Sequence, residues 1–227
     1  KASRFDAIYL LGLRYLDNFF PSKVTLKTIA AFFSTWGEDI LQNKTLKIHL
    51  AGKTGRQSYC IPIKIPGEIH IITGPVSGWL DLEALFHELG HAIGLAHTNP
   101  ELPLEEREFF QSWSLSESFA FLFQKICMSQ EFLHEVLGLS QETASLISTV
   151  HAIKMLTLAR RYAAKLVIEV ENFSVNSLQK GEELYAEVMA RETGFQYDPS
   201  TYLFDIMPDF YTLDYFQGFL GSACLWD

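Results

Sequence analysis

The residues best suited to chemistry stand together at Phe86-His87-Glu88-Leu89-Gly90-His91-Ala92, an H-E-x-x-H run inside an apolar-periodic stretch. On a helix, residues four apart share a face. His87 and His91 can therefore offer two imidazole nitrogens to one metal ion. Glu88, beside them, can take a proton from water held by that ion, which is the chemistry of zinc hydrolases. The plain alternative is a chance match on an ordinary helix. The flanks favour a built site: small Gly90 and Ala92 permit close packing, and Leu85, Phe86, Leu89 and Ile93 bury the helix. The pattern predicts a helix from about Asp81 to Ala96, stopped by Asn99-Pro100, and one zinc ion per chain. Glu83, one turn before His87, either orients that histidine or is a solvated helix charge.

A catalytic zinc takes three protein ligands and keeps one position open. Two residues compete for the third place. His97 completes H-E-x-x-H-x-x-G-x-x-H from His87, the metzincin pattern, provided the helix breaks at Gly94. Unbroken, that helix would carry His97 about 9 Å along its axis from His91 and onto another face. Glu117 is the other candidate. It lies between Ser116 and Ser118 and leads into Phe119-Ala120-Phe121-Leu122-Phe123. A carboxylate beside such a run tends to be buried, and buried charges are paired or metal-bound. An ordinary helix charge is its plain alternative. A metzincin also needs a Met-turn, and Met128, Met155, Met189 and Met207 fall in stretches that do not read as one.

Composition narrows the class. At 227 residues the chain suits one large domain or two small ones and can bury a sizeable core. Hydrophobic residues at 48% and aromatics at 14% mark a globular chain rather than a disordered one. A formal charge of -9 without a large Lys/Arg cluster argues against nucleic-acid binding. No apolar run is long enough for a membrane span, and no secretory signal opens the chain. Cys60, Cys127 and Cys224 are odd in number, far apart and not in C-x-x-C spacing. They read as reduced, buried thiols of a cytoplasmic protein. The sequence stops at Cys224-Leu225-Trp226-Asp227 within an apolar pattern, which predicts a piece of a longer protein. Oligomeric state is left open.

The surrounding elements read as follows. Apolar spacing predicts helices over Ser3–Asp17 and from Leu26 to Leu41. Leu46, Ile48 and Leu50 alternate as a strand, Gly52–Gly55 is a turn, and Tyr59–Ile65 and Glu68–Thr73 are two more strands around Pro66-Gly67. Residues 46–73 thus form a small β region before the zinc helix. Its edge can pair with an extended peptide or be a plain hairpin. One long helix is expected after Pro103, with Glu105, Glu106 and Glu108 at its positive end and Glu117 and Ile126 further along. Further helices are expected over Gln141–Val170, Glu182–Glu192 and Asp209–Trp226. Arg160, Arg161 and Lys165 are read as partners for the surplus acids or as solvated, with capture of a peptide carboxylate the weaker option. Tyr211, Tyr215, Phe216 and Phe219 form a helical aromatic stripe that core packing mostly explains.

Several segments beyond the zinc helix resemble the thimet oligopeptidase and oligoendopeptidase F family. Lys53-Thr54-Gly55-Arg56-Gln57-Ser58-Tyr59-Cys60 looks like its glycine-containing strand entry. Ile69–Thr73 resembles its substrate-lining strand, and Leu115–Phe123 its third-ligand helix. Arg160–Leu166 and Asp209-Phe210-Tyr211 are similar to segments of its bacterial branches. The likeness runs from about Gly52 to the C-terminus. It implies a mainly α, helical zincin-type catalytic domain spanning 1–227, with zinc on His87, His91 and Glu117. It also implies Glu88 as general base, and short unstructured peptides as substrates in a channel between helical halves. Two departures stand out: Asp209 sits where that family often has a histidine, and its early helical half is missing here. Tyr211 or Tyr215 is the expected oxyanion donor. The competing expectations are a metzincin-like protease using His97, and a non-catalytic helical peptide-binding module with a structural metal.

Overall fold

The site depends on three helices crossing closely, and their glycines explain why they can. The computed structural model describes residues 2–52, 58–109, 112–172 and 178–227. In chain order the elements are α1 (Arg4–Leu11), a 3-10 turn (Arg14–Phe19), α2 (Leu26–Ser34), β1 (Leu46–Leu50), β2 (Tyr59–Lys64), β3 (Glu68–Thr73) and α3 (Trp79–Ala96). There follow α4 (Leu104–Glu108), α5 (Trp113–Ile126), a π-helical turn (Phe132–Val136), α6 (Gln141–Asn172), α7 (Leu178–Thr193), α8 (Tyr202–Asp205) and α9 (Tyr211–Trp226). The chain is mainly helical with one small sheet, as the periodicity predicts.

The sheet has the order β1-β3-β2, with β1 parallel and β2 antiparallel to β3. Strand β3 alternates half-exposed and buried residues, putting Ile69, Ile71 and Thr73 inward. Past Gly52, the turn expected at Gly52–Gly55 lies outside the described residues, as do Lys53 to Gln57 of the strand entry.

Three predicted helices are shorter than expected. The helix placed over Ser3–Asp17 breaks at Gly12, because Leu13 takes a left-handed backbone with φ 54°. The helix placed to Leu41 ends at Ser34. There the Ser34 and Thr35 hydroxyls donate to the Ala30 and Phe32 carbonyls, and Gly37 turns the chain at φ 85°. The single helix expected after Pro103 is two, α4 and α5. Ser112 starts the second by accepting the Leu115 N–H at 3.2 Å, the usual role of an N-cap serine.

Helix α3 is anchored from several sides. Its N-cap is Gly78, so the capping carboxylate comes from elsewhere: Asp17 accepts the Trp79 N–H at 3.1 Å. The Trp79 indole donates to the Leu16 carbonyl at 2.8 Å. Phe86 is fully buried among Phe33 (ring centroids 5.5 Å) and Phe132 (5.2 Å). That packing fixes the helix's rotation, so the next residue, His87, is held toward α5.

Helix α5 lies between α3 and α9. A Cβ built on Gly90 would stand 2.6 Å from the Ala120 Cα and the Phe119 carbonyl oxygen. One on Gly218 of α9 would stand 2.4 Å from the Glu117 Cβ. Glycine on both neighbours lets two backbones approach the same turn of α5. A second, smaller core joins α6, α7 and α8 around Ile168, Tyr185, Val188, Met189 and Tyr202. Asp205 is bound there by Arg161, by Lys165 at 3.7 Å and by the Tyr185 hydroxyl at 2.9 Å. So Arg161 and Lys165 are structural partners of an acid, not solvated charges. The entry to α9 is held by Glu169, which accepts from the Thr212 hydroxyl at 2.5 Å. The cysteines differ from expectation: Cys127 is buried, but Cys60 is half-buried and Cys224 exposed, all three free.

Gly218→Ala should destabilise the fold by about 1–3 kcal/mol through overpacking against α5, read as a lower urea midpoint. An unchanged midpoint would mean that α9 does not press on Glu117 as described.

Candidate metal centre

His87 and His91 lie one turn apart on α3, their rings 4.8 Å between centroids and nearly perpendicular. Glu117 reaches them from α5 and is 1% exposed. Its Oε2 is 3.5 Å from His87 Nε2, and its Oε1 is 3.7 Å from His91 Nε2. One atom from each of the three residues lies within 4.8 Å of the others. Four-coordinate binding with bonds of about 2.0–2.1 Å would set ligand atoms about 3.4 Å apart, so the spacing fits a metal ion. The chemistry agrees. Glu117 Oε2 is buried and has no hydrogen-bond partner, a costly state for a carboxylate oxygen unless something is meant to meet it.

Each imidazole is oriented from behind. His87 Nδ1 is 3.1 Å from the Gln124 side-chain oxygen, and His91 Nδ1 is 2.8 Å from the Ser116 hydroxyl. With Nδ1–H donating, each Nε2 keeps its lone pair toward Glu117. Glu117 Oε1 accepts from the Tyr211 hydroxyl at 2.8 Å. The Tyr215 ring packs edge to face on Tyr211 at 4.9 Å and stacks on Tyr162 at 5.3 Å.

Electrostatics follow from burial. Burial raises the Glu117 carboxyl to about 7, only partly offset by the Tyr211 hydrogen bond. Burial also lifts Glu88 to about 7, against a hydrogen bond from the Cys60 backbone N–H. Burial and the neighbouring His87 push His91 down to about 3, and burial lowers His87 as well. Both imidazoles are therefore neutral, lone-pair donors at pH 7. Burial and the nearby Glu117 carboxylate raise the Tyr211 and Tyr215 hydroxyls, so both remain protonated donors. The Cys60 contact turns the outer edge of β2, which among the described residues pairs only with β3, toward Glu88.

His97 is elsewhere. Helix α3 runs unbroken through Gly94, and His97 is exposed at its end, 2.5 Å from Glu38 Oε1. Gly94 serves packing instead, since a Cβ there would stand 3.2 Å from the Phe119 ring. Glu83 is no solvated charge. It is 1% exposed and accepts from Gln124 at 2.6 Å, from His151 at 2.9 Å and from Lys154. Sequence reasoning missed Ser116, Gln124, His151 and Lys154. Gln124 had a usable signal, since it stands two turns after Glu117 and so shares its helix face. The partners on α6 had none, because their pairing to α3 is purely tertiary.

Among the described residues no helix is long and apolar enough to cross a membrane. The chain matches no protein-family model, and no curated protein or solved structure matches it significantly.

In the metal-free protein Glu117 is protonated below about pH 7, and a cation must displace that proton. Affinity for a divalent metal should therefore fall by about tenfold per pH unit as pH drops below 7. Calorimetry in buffers of different ionisation enthalpy should register the released proton. Affinity independent of pH between about 5.5 and 7.5 would contradict this.

Proposed function

We propose that the chain is a zinc-dependent endopeptidase domain acting on short, unstructured oligopeptides, with His87, His91 and Glu117 as the ligands. The observation that carries this reading is Glu88, a half-buried carboxylate adjacent to a ligand histidine and steered by the Cys60 N–H. A closed structural metal site has no use for a base in that position. When bound, zinc supplies Lewis acidity, lowering the pKa of coordinated water to about 7 and polarising a carbonyl oxygen. Glu88 accepts the proton of the attacking water and passes it to the leaving amine. Its carboxyl, lifted to about 7, suits both transfers.

Tyr211 and Tyr215 are the hydroxyl donors assigned to the developing oxyanion. Tyr211 stands one hydrogen bond from the cluster through Glu117, and Tyr215 packs against it. The outer edge of β2 can take an extended peptide by main-chain hydrogen bonds, except at Pro62, which has no N–H to give, and at Cys60, whose N–H is given to Glu88. The resemblance of Leu115–Phe123 and its neighbours to the thimet oligopeptidase and oligoendopeptidase F family supports the same substrate class. The exposure of His97 and its pairing with Glu38 disfavour a metzincin-like arrangement. The thiols suit a reducing, cytoplasmic setting.

Glu88→Gln should lower hydrolysis of a mixed peptide library by at least about 100-fold while zinc content by atomic absorption stays at one per chain. Normal turnover in that variant would refute the mechanism. His97→Ala should keep both metal and activity, and loss of zinc on that substitution would reinstate His97 as a ligand. If zinc binds but the unaltered protein shows no chelator-sensitive cleavage, the site is a structural metal in a peptide-binding module.

A further inference from the structure

Behind His87 lies a buried polar chain that the proposed hydrolysis does not use. The Gln124 side-chain oxygen meets His87 Nδ1 at 3.1 Å, and its amide nitrogen donates to Glu83 Oε1 at 2.6 Å. The same Glu83 oxygen accepts from His151 Nε2 at 2.9 Å, and Glu83 Oε2 accepts from Lys154. Glu83, Gln124, His151 and Lys154 are each under a tenth exposed. They come from three helices, α3, α5 and α6.

The chemistry of these groups leaves little freedom. A carboxylate only accepts, so the Gln124 end facing Glu83 must be its NH2. The other end is then an oxygen, which cannot donate to His87. So Nδ1 must carry the hydrogen, and the lone pair sits on Nε2, the atom 3.5 Å from Glu117 Oε2. Burial alone would raise the Glu83 carboxyl. The Lys154 charge and the His151 hydrogen bond outweigh it and hold Glu83 down at about 2, so the acceptor stays charged.

We propose that Gln124 is a positioning residue: anchored by Glu83 through Lys154 and His151, it locks His87 in the tautomer and ring orientation that bind the metal. The inference rests on the zinc reading above. It goes further by assigning metal affinity to side chains that touch neither metal nor substrate. His91 Nδ1 meets the Ser116 hydroxyl instead, at 2.8 Å, so the two ligands are oriented by different groups. The amide acts as a one-way adaptor: it turns an acceptor-only anion into an acceptor presented to the imidazole.

The test compares the unaltered protein with Gln124→Met and Gln124→Glu. Methionine keeps the length and apolar bulk but offers His87 no strong acceptor. Glu83 retains His151 and Lys154 in that variant, so the helices keep their ion pair. Zinc affinity would be measured by competition with a chromophoric chelator, and the ligand field by the visible spectrum of the cobalt form. Thermal midpoints of the metal-free proteins serve as the control. Gln124→Met should weaken zinc binding about 10–100-fold and alter the cobalt spectrum, with the metal-free midpoint nearly unchanged. Gln124→Glu restores an acceptor for Nδ1–H, with one proton shared between its carboxyl and Glu83, and should recover most of the affinity.

Equal zinc affinity in Gln124→Met and the unaltered protein would overturn the inference while leaving the metal site standing. So would an affinity loss matched by an equal loss of metal-free stability and not rescued by glutamate. Absence of zinc binding by the unaltered protein would overturn the zinc reading and this inference with it.

Discussion

The close crossing of α3 and α5 at Gly90 is the constraint from which the rest of the structure follows. A side chain at that position would collide with the backbone at Phe119 and Ala120. Glycine lets the helices close, and closure carries the Glu117 carboxylate into the gap beside two imidazoles. Helix α9 presses from the opposite side through Gly218, against the Glu117 Cβ, and Glu117 is left 1% exposed. A carboxylate so confined is desolvated, which is why its carboxyl is lifted to about 7 and one oxygen stands without a partner. Burying an unpaired charge is costly, and a cation between the three ligands would relieve that cost. The geometry and the electrostatics thus point to the same occupant.

Around that centre the fold divides its tasks. The aromatic core of Phe32, Phe33, Phe86, Phe123 and Phe132 sets the rotation of α3, and with it the direction of His87 and His91. The small sheet brings the edge of β2 against Glu88. The second core, with Asp205 bound by Arg161 and Lys165, fixes the chain entering α9 and so places Tyr211. Helix α6 contributes to both regions: its early part supplies His151 and Lys154 behind the metal ligands, and its later part supplies Arg161, Lys165 and Glu169.

Much of this was legible in the sequence because the signals are local. His87 and His91 are four apart, and the i,i+4 face needs no tertiary knowledge. Alternation marks β1, Pro66-Gly67 marks the turn between β2 and β3, and the expected boundaries of α3 lie within two residues of the observed ones. Glu117 was legible as a carboxylate set against an apolar run. Other features escaped because they depend on contacts between distant segments. The break at Leu13 is a left-handed residue that periodicity cannot see. The early end of α2 depends on hydroxyls bonding back to carbonyls. Nothing near Glu83 in sequence announces Lys154. His97 shows the opposite case: a complete local motif, H-E-x-x-H-x-x-G-x-x-H, made it a competing candidate although no Met-turn accompanied it. The glycine it relies on for a helix break is used instead to admit the Phe119 ring.

The account stands on one cation held by two imidazoles of α3 and one carboxylate of α5. The most direct measurement is the anomalous-difference map of a crystal of the zinc-soaked protein, collected at the zinc edge. The account predicts one strong peak about 2.0–2.2 Å from His87 Nε2, His91 Nε2 and a Glu117 oxygen. A peak between His97 and Glu38, or none near Glu117, would contradict it.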